Sequence, residues 1–257
     1  MTMDIERISV TRKSIWDTCR QQYKYRYFLK LESPVPEPYY FEYGKIVHKI
    51  AEEYIANQGD VSLSEIRDAV INGEIEIENG KKASKIPAAY MKRLPGHIRS
   101  IDSLTQQIGF KGKLEHSFNI DLDPPHNKRL IGIIDRLITN DAKDKIFIID
   151  YKTTKKGIWR KTPQTIGQDL QLRAYSKAVQ IEYEVPANRI AAALYYVEGG
   201  NLVPARFTQR AIDSAVVELV TAFDEIRATN PDSIFGKVGD HCFRCDYKTI
   251  CPYYRSK

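Results

Sequence analysis

The sequence predicts an α/β (α+β) fold in which helices flank one central mixed sheet. Three observations carry this reading. Helical periodicity dominates as far as about residue 108, and short Ile-, Leu- and Phe-rich segments divided by turn residues follow up to residue 152. Beyond them a helix, a strand, a hairpin arm and another helix alternate as far as residue 227. Helices are expected at 14–31, 41–57, 63–72 and 90–107, and strands at 113–120, 129–139 and 145–152. A helix at 166–182, a strand at 189–197, an arm at 201–207 and a helix at 211–227 complete the chain. The run Ser33-Pro34-Val35-Pro36-Glu37-Pro38 separates the first two helices, because proline cannot continue one. No internal repeat or low-complexity tract is present.

The chain has 257 residues, of which 42% are hydrophobic, enough to bury a core and to exclude wholesale disorder. Lys and Arg number 39 against 33 Asp and Glu, a net charge of +6 that modestly favours an anionic partner such as nucleic acid. No apolar run approaches the ~18 residues of a membrane span. With no apolar signal core at the N-terminus, the expected location is the cytosol, with no membrane partner. The pairs Gly44-Lys45, Gly80-Lys81, Gly112-Lys113 and Gly236-Lys237 all lack the following Ser or Thr of a phosphate-binding loop, so the chain is not itself a helicase.

Cys19 stands alone, while Cys242, Cys245 and Cys251 crowd into the tail as Cys-x2-Cys-x5-Cys. In a reducing compartment two disulfides are disfavoured, and this spacing offers thiolates to a metal. Four thiolates suit a tetrahedral zinc or an iron–sulfur cluster, and the spacing alone does not separate them. With Cys19 as fourth ligand, the site would clasp the two ends of the chain.

In Ile146-Phe147-Ile148-Ile149-Asp150-Tyr151-Lys152 both faces are apolar until the end, as in a central strand covered on both sides. Period-two alternation puts Asp150 and Lys152 on one face. Asp135 lies on the preceding strand, on the face of Ile131, Ile133 and Leu137. A hairpin centred on Ala142 and Lys143 sets Asp135 opposite Asp150, where like charges repel unless something cationic intervenes. Lys152 or a divalent cation answers that need, and a buried Asp–Lys pair that merely ends a strand is the plain alternative. Gly44 and His48 share a helix face, with the glycine permitting close approach. Gln168, Gln171 and Tyr175 form a polar stripe on a later helix. Alternating Tyr and basic residues at 23–30 suit either a core rim or nucleic-acid stacking.

Gly44-x3-His48, Gly132-Ile133-Ile134-Asp135, Asp150-Tyr151-Lys152-Thr153 and Gln171-Leu172-x2-Tyr175 resemble, in type and order, the motifs of RecB-type nucleases of the PD-(D/E)XK superfamily. With one N-terminal cysteine and the Cys-x2-Cys-x5-Cys tail, the resemblance narrows to the iron–sulfur members, such as the CRISPR-associated RecB-like exonucleases and the nuclease domain of AddB. It spans Ile8 to Tyr254, and residues 83–107 match no motif.

The resemblance implies a restriction-endonuclease-like core within one nuclease domain. That domain would comprise a helical region at 1–108, a catalytic sheet at 109–207 and a cysteine-bearing tail at 208–257. It also implies Mg²⁺ or Mn²⁺ held by His48, Asp135, Asp150 and the Tyr151 carbonyl. Lys152 would orient water and stabilise charge, Glu115 would assist, and Gln171 and Tyr175 would shape the site. A [4Fe–4S] cluster, with zinc as the alternative, would sit on Cys19, Cys242, Cys245 and Cys251. The loop after the catalytic strand carries Lys155, Lys156, Trp159, Arg160 and Lys161, which are expected to track phosphates and stack a base. The implied activity is a metal-dependent DNA exonuclease acting on single strands or free ends in recombination, repair or CRISPR adaptation. A helicase or recombination protein would be its partner. The competing reading is a non-catalytic DNA-binding adaptor subunit of a helicase–nuclease complex.

Overall fold

Capping chemistry explains where several helices begin in this computed structural model, which describes residues 3, 5–78, 80–83, 86–157 and 159–254. Strand β1 (Arg7–Ile8) leads into α1 (Val10–Thr18), whose cap Ser9 accepts the Arg12 N–H at 3.2 Å. Helix α2 (Arg20–Tyr23) follows, then a five-residue π turn at Lys24–Phe28. The continuous helix expected over 14–31 is therefore broken. Cys19 is extended (φ −158°, ψ 110°) and serves as the end of α1 and the start of α2. Periodicity misses this break, because a single extended residue barely disturbs the spacing of apolar positions on either side.

Helix α3 (Tyr39–Ala56) precedes α4 (Leu63–Ile71), which opens on a capping box between Ser62 and Glu65. The expected helix at 90–107 is two pieces, α5 (Ala88–Met91) and α6 (Leu94–Ile108), the second with Pro95 in its first turn. Then come β2 (Lys113–Asp121), β3 (Arg129–Thr139), β4 (Ile146–Lys152), α7 (Leu170–Tyr183), β5 (Ile190–Tyr196), β6 (Asn201–Ala205) and α8 (Gln209–Ala228). The Asp169 carboxylate caps α7 by accepting the Leu172 N–H at 2.9 Å.

The chain divides into two units interleaved in sequence, 1–37 with 118–132 and 213–257, and 38–117 with 133–212. In the first, β1 runs parallel to the start of β3, with Arg7 paired to Arg129 and Ile8 to Leu130. Trp16 is buried and donates its indole N–H to Glu225 at 3.1 Å. Gly132 is required here, since a Cβ at that position would lie 2.5 Å from Cζ of Phe118.

In the second unit, β4 lies between antiparallel β3 and parallel β5, and β6 returns antiparallel to β5. This is a mixed sheet, and β4 is central as the sequence implies. The ladder pairs Arg136 with Ile149 and Leu137 with Ile148, the register expected from a turn centred on 142 and 143. Ile149, Tyr151, Tyr195 and Val197 pack against α3, α4 and α6 on one face of the sheet. Helix α7 packs on β4 and β5, and Lys152 of β4 reaches Gln171 of α7. Alternation therefore turns Ile148, Asp150 and Lys152 toward α7. On β3 the expected inner face is only partly buried. Leu137 is buried, but Ile133 is 49% exposed, and the buried pair beside it is Ile134 and Arg136. Arg136 pays for its burial with bonds to the carbonyls of Gly109 and Lys111.

Candidate active site

Three elements of the second unit, β3, β4 and α3, converge on one backbone segment. The Asp135 carboxylate accepts the Tyr151 N–H through Oδ2 at 2.6 Å, one step beyond the last ladder pair between β3 and β4. His48, from α3, places Nε2 2.9 Å from the Tyr151 carbonyl oxygen and Nδ1 3.6 Å from Asp135 Oδ1. Both backbone polar groups of Tyr151, the residue between Asp150 and Lys152, are thus held.

Asp150 is 2% exposed. Its Oδ2 forms an ion pair with Lys152 Nζ at 2.6 Å. Lys152 also donates to Gln171 Oε1 at 2.9 Å, and Gln171 Nε2 donates to the Tyr175 hydroxyl at 2.6 Å. Asp169, which caps α7, therefore helps fix the helix that orients Lys152.

The charges of this cluster are strongly perturbed. Burial pushes the Asp150 carboxyl up to about 6, with Lys152 opposing and Asp135 adding to the rise. Burial also raises Asp135, but the His48 and Lys152 charges outweigh it and hold that carboxyl below its usual range. Glu115 is pushed to about 7, by desolvation first and by Asp135 second. For His48 burial acts downward, yet the neighbouring carboxylates, led by Asp135, carry it up to about 9. Lys152 is likewise raised despite its burial, because Asp150 stabilises the ammonium, so it remains a cation at neutral pH.

Ligand atoms of His48, Glu115 and Asp135 all lie within 4.8 Å of one another. A histidine nitrogen and two carboxylates fit a divalent cation such as Mn²⁺ or Mg²⁺. Burial raises the Asp150 and Glu115 carboxyls and the Asp135 charge adds to it, so a bound cation would favour their ionised forms. The expected ligand set named Asp150 where this triad has Glu115. Glu115 joins the group from β2, where its backbone is left-handed, φ 44°, an unusual conformation for a strand residue. Sequence alternation carries no sign of that twist. Gly44 is less constrained than expected, because a Cβ there would sit 3.6 Å from Thr153 Oγ1, an ordinary contact.

The loop beyond Lys152 separates into two groups. Lys155, Lys156 and Trp159 are exposed, Trp159 by 72%, and Ile158 lies outside the described residues. Arg160 faces inward. It donates to the carbonyls of Thr154 and Glu198 and lies 4.7 Å over the Tyr196 ring, while the Lys161 N–H donates to the Tyr196 hydroxyl. The sequence could not distinguish an arginine that holds the loop from lysines that face solvent.

In the first unit all four cysteines are free thiols and line one pocket with Tyr25, His241 and Tyr247. Disulfide pairing is thereby set aside. Burial raises the Cys245 thiol, and the nearby Cys19, Asp246 and Cys251 add to the rise. A single zinc with sulfurs at ~2.3 Å would bring them to ~3.8 Å from one another. Among the described residues, no three cysteine sulfurs lie within 4.8 Å of one another.

The sequence model of the PD-(D/E)XK nuclease superfamily matches residues 7–252. The chain belongs to the PD-(D/E)XK nuclease superfamily. Among solved structures it is similar to a protein of Eubacterium rectale described as a candidate exonuclease, with a TM-score of 0.59 and 14% identity over 98% of this chain and 91% of that one. At that identity the likeness speaks for the fold. A second structure, SSO0001, aligns over 92% of this chain and 95% of its own at 12% identity, with a TM-score of only 0.38, and carries no weight. No curated protein sequence matches the chain. Among the described residues, no helix is long and apolar enough to cross a membrane.

Proposed function

We propose that this nuclease is a metal-dependent DNA exonuclease that hydrolyses phosphodiester bonds of single strands or free ends. The observation that carries the reading is the juxtaposition of Lys152, a half-buried and charged ammonium, with Asp150, Asp135, His48 and Glu115 around the backbone of Tyr151. His48, Glu115 and Asp135 would hold Mg²⁺ or Mn²⁺, joined by the Tyr151 carbonyl and Asp150. Bound there, the ion supplies Lewis-acid polarisation of the scissile phosphate and acidifies the attacking water.

The protein's own groups do the positioning. An ammonium has three donors; Asp150 and Gln171 take two of Lys152's, and the third is free for a phosphate oxygen or the attacking water. Because Lys152 stays protonated, it acts as a fixed cation that stabilises charge building on the phosphate, rather than as a base. Tyr175, whose phenol is held well above its ordinary range by burial and then by the Asp150 and Asp135 charges, keeps its proton and fixes the Gln171 amide. Lys155, Lys156 and Trp159 are the exposed cations and indole that would meet backbone phosphates and a base, with Arg160 and Lys161 setting the shape of the loop.

For the thiols we propose a [4Fe–4S] cluster on Cys19, Cys242, Cys245 and Cys251. Each of its four irons would take one thiolate, and the four cysteines line one pocket, as the resemblance to the iron–sulfur nucleases implies. The cluster's role would be structural. End-labelled and circular single-stranded DNA, incubated separately with protein and Mn²⁺, test the main reading. Mononucleotides from the linear substrate with the circle intact support an exonuclease, whereas equal cleavage of both excludes end dependence.

A further inference from the structure

Residues 83–107 match none of the sequence motifs, yet α6 walls a cavity of about 680 Å³ in the second unit. It opens between the start of α6 and the Glu198-Gly199-Gly200 turn that joins β5 to β6. Its lining includes Lys92, Arg93, His97, Arg99 and Glu198. Three cations thus face one carboxylate. That carboxylate is already engaged, since Glu198 pairs with Arg93 at 2.5 Å. Lys92 and Arg99 are exposed, and among the described residues neither has an ion-pair partner.

His97 supplies the independent observation. It is 2% exposed, its Nδ1 lies 2.8 Å from the Tyr43 hydroxyl, and its buried Nε2 has no hydrogen-bond partner. Burial holds the Tyr43 phenol up at about 12, so it keeps its proton and can donate to Nδ1. Burial first and Arg93 second hold the imidazole down at about 4, which leaves it neutral; with the Tyr43 hydroxyl donating to Nδ1, its one proton sits on Nε2. In that tautomer Nε2–H is a buried donor without an acceptor on a residue that lines a cavity with three cations, and an anion entering the cavity would supply the acceptor.

We propose that this cavity binds the phosphate group of a nucleotide, with Lys92, Arg99 and the His97 Nε2–H as donors. The phosphate could be borne by the end of a nucleic-acid strand or by a free mononucleotide. The cavity also touches the catalytic strand's exit, because Arg93 donates to the Thr153 carbonyl, next to Lys152, at 3.3 Å. The choice of nucleotide rests on the nuclease reading above, while the phosphate site itself does not require cleavage.

The test is titration of the ¹⁵N-histidine-labelled protein, without divalent metal, followed through the His97 side-chain resonance. The probes are deoxyadenosine monophosphate, deoxyadenosine, and single-stranded oligonucleotides with and without a terminal phosphate. Saturable shifts with the monophosphate or the phosphorylated oligonucleotide, absent with their unphosphorylated counterparts, are expected. The double variant Lys92→Ala/Arg99→Ala, altered only at exposed positions, should weaken that binding at least tenfold. A response to the oligonucleotide alone assigns the site to strand ends, and a response to the monophosphate alone assigns it to product. An unmoved His97 signal, an equal response to deoxyadenosine, or unchanged binding in the double variant overturns the proposal. A normal His97 response in a protein that cleaves no DNA would instead refute the nuclease reading and leave this site standing.

Discussion

Asp135 Oδ2 accepts the backbone N–H of Tyr151 at 2.6 Å, so a carboxylate from one strand holds the peptide between the acid and the lysine of the next. The same carboxylate faces His48 through its other oxygen. Asp135 therefore has two tasks, fixing the backbone of β4 and lending charge to the site. Asp135→Asn keeps the size and one acceptor but loses the charge. Cleavage should fall by about 10²- to 10⁴-fold with a near-native circular dichroism spectrum, as for other groups that stabilise charge in the transition state.

Removing Lys152 should affect activity and stability separately. Lys152→Met should lower kcat by about 10²- to 10³-fold. It also leaves Asp150 buried without its partner, a loss of about 3 kcal/mol when the carboxylate is ionised. Because Asp150 already titrates near 6, protonation relieves that penalty. The deficit in melting temperature relative to wild type should be small at pH 5 and large at pH 8. An equal deficit at both would show that Asp150 does not depend on Lys152.

The pH dependence of metal binding follows from the perturbed groups. The Asp150 and Glu115 pKa values lie above their ordinary values of 3.8 and 4.5, so the stability they contribute is present in acid and lost as pH rises through about 6 and 7. His48, raised from 6.5 to about 9, contributes below 6.5 and loses that contribution as pH rises through 9. Asp135, held low, contributes in the opposite sense, a contribution lost as pH falls. Metal must displace the protons of the raised groups. Calorimetric titration with Mn²⁺ at pH 7 in buffers of different ionisation enthalpy should detect release of about one proton or more, and affinity should climb from pH 6 to 9. Binding without proton release contradicts the proposed ligands.

Gln171 is expected to act through Lys152. Gln171→Leu leaves the helix intact but removes the acceptor for the ammonium, and a loss of about 10- to 100-fold is typical when such a supporting bond is removed. The decrease should appear in kcat with KM little changed. A change confined to KM would place Gln171 in substrate binding instead.

Two glycines of the sequence motifs should behave differently on replacement by alanine. Gly132→Ala drives a methyl into the buried Phe118 ring and should cost about 1–3 kcal/mol in urea denaturation. Gly44→Ala meets only an ordinary contact on a helix and should be neutral or stabilising by up to ~1 kcal/mol.

Much of this site was legible in the sequence, because its central feature is a hairpin. Pairing set by the turn puts every cross-strand sum at one value, and the apolar run of β4 marks a covered strand, so Asp135, Asp150 and Lys152 could be gathered on one face before any coordinates. What escaped depends on single backbone angles and on three-dimensional packing. Cys19 interrupts a helix with one extended residue. Glu115, named from the resemblance as an assisting acid, has a positive φ that alternation does not show. Ile133 lies on an apolar face that is partly open, and Arg160 resembles its lysine neighbours until its carbonyl partners appear. Neither periodicity nor residue type encodes these.

The most direct measurement of the central claim is release of nucleotides from labelled single-stranded DNA by the wild-type protein and by Asp150→Ala, each with Mn²⁺ and with excess chelator. The expected result is hydrolysis by the wild type with Mn²⁺ alone, abolished in a folded Asp150→Ala protein. Undiminished hydrolysis by the variant, or hydrolysis in chelator, would contradict the assignment of Asp150 and its neighbours as a metal-dependent nuclease site.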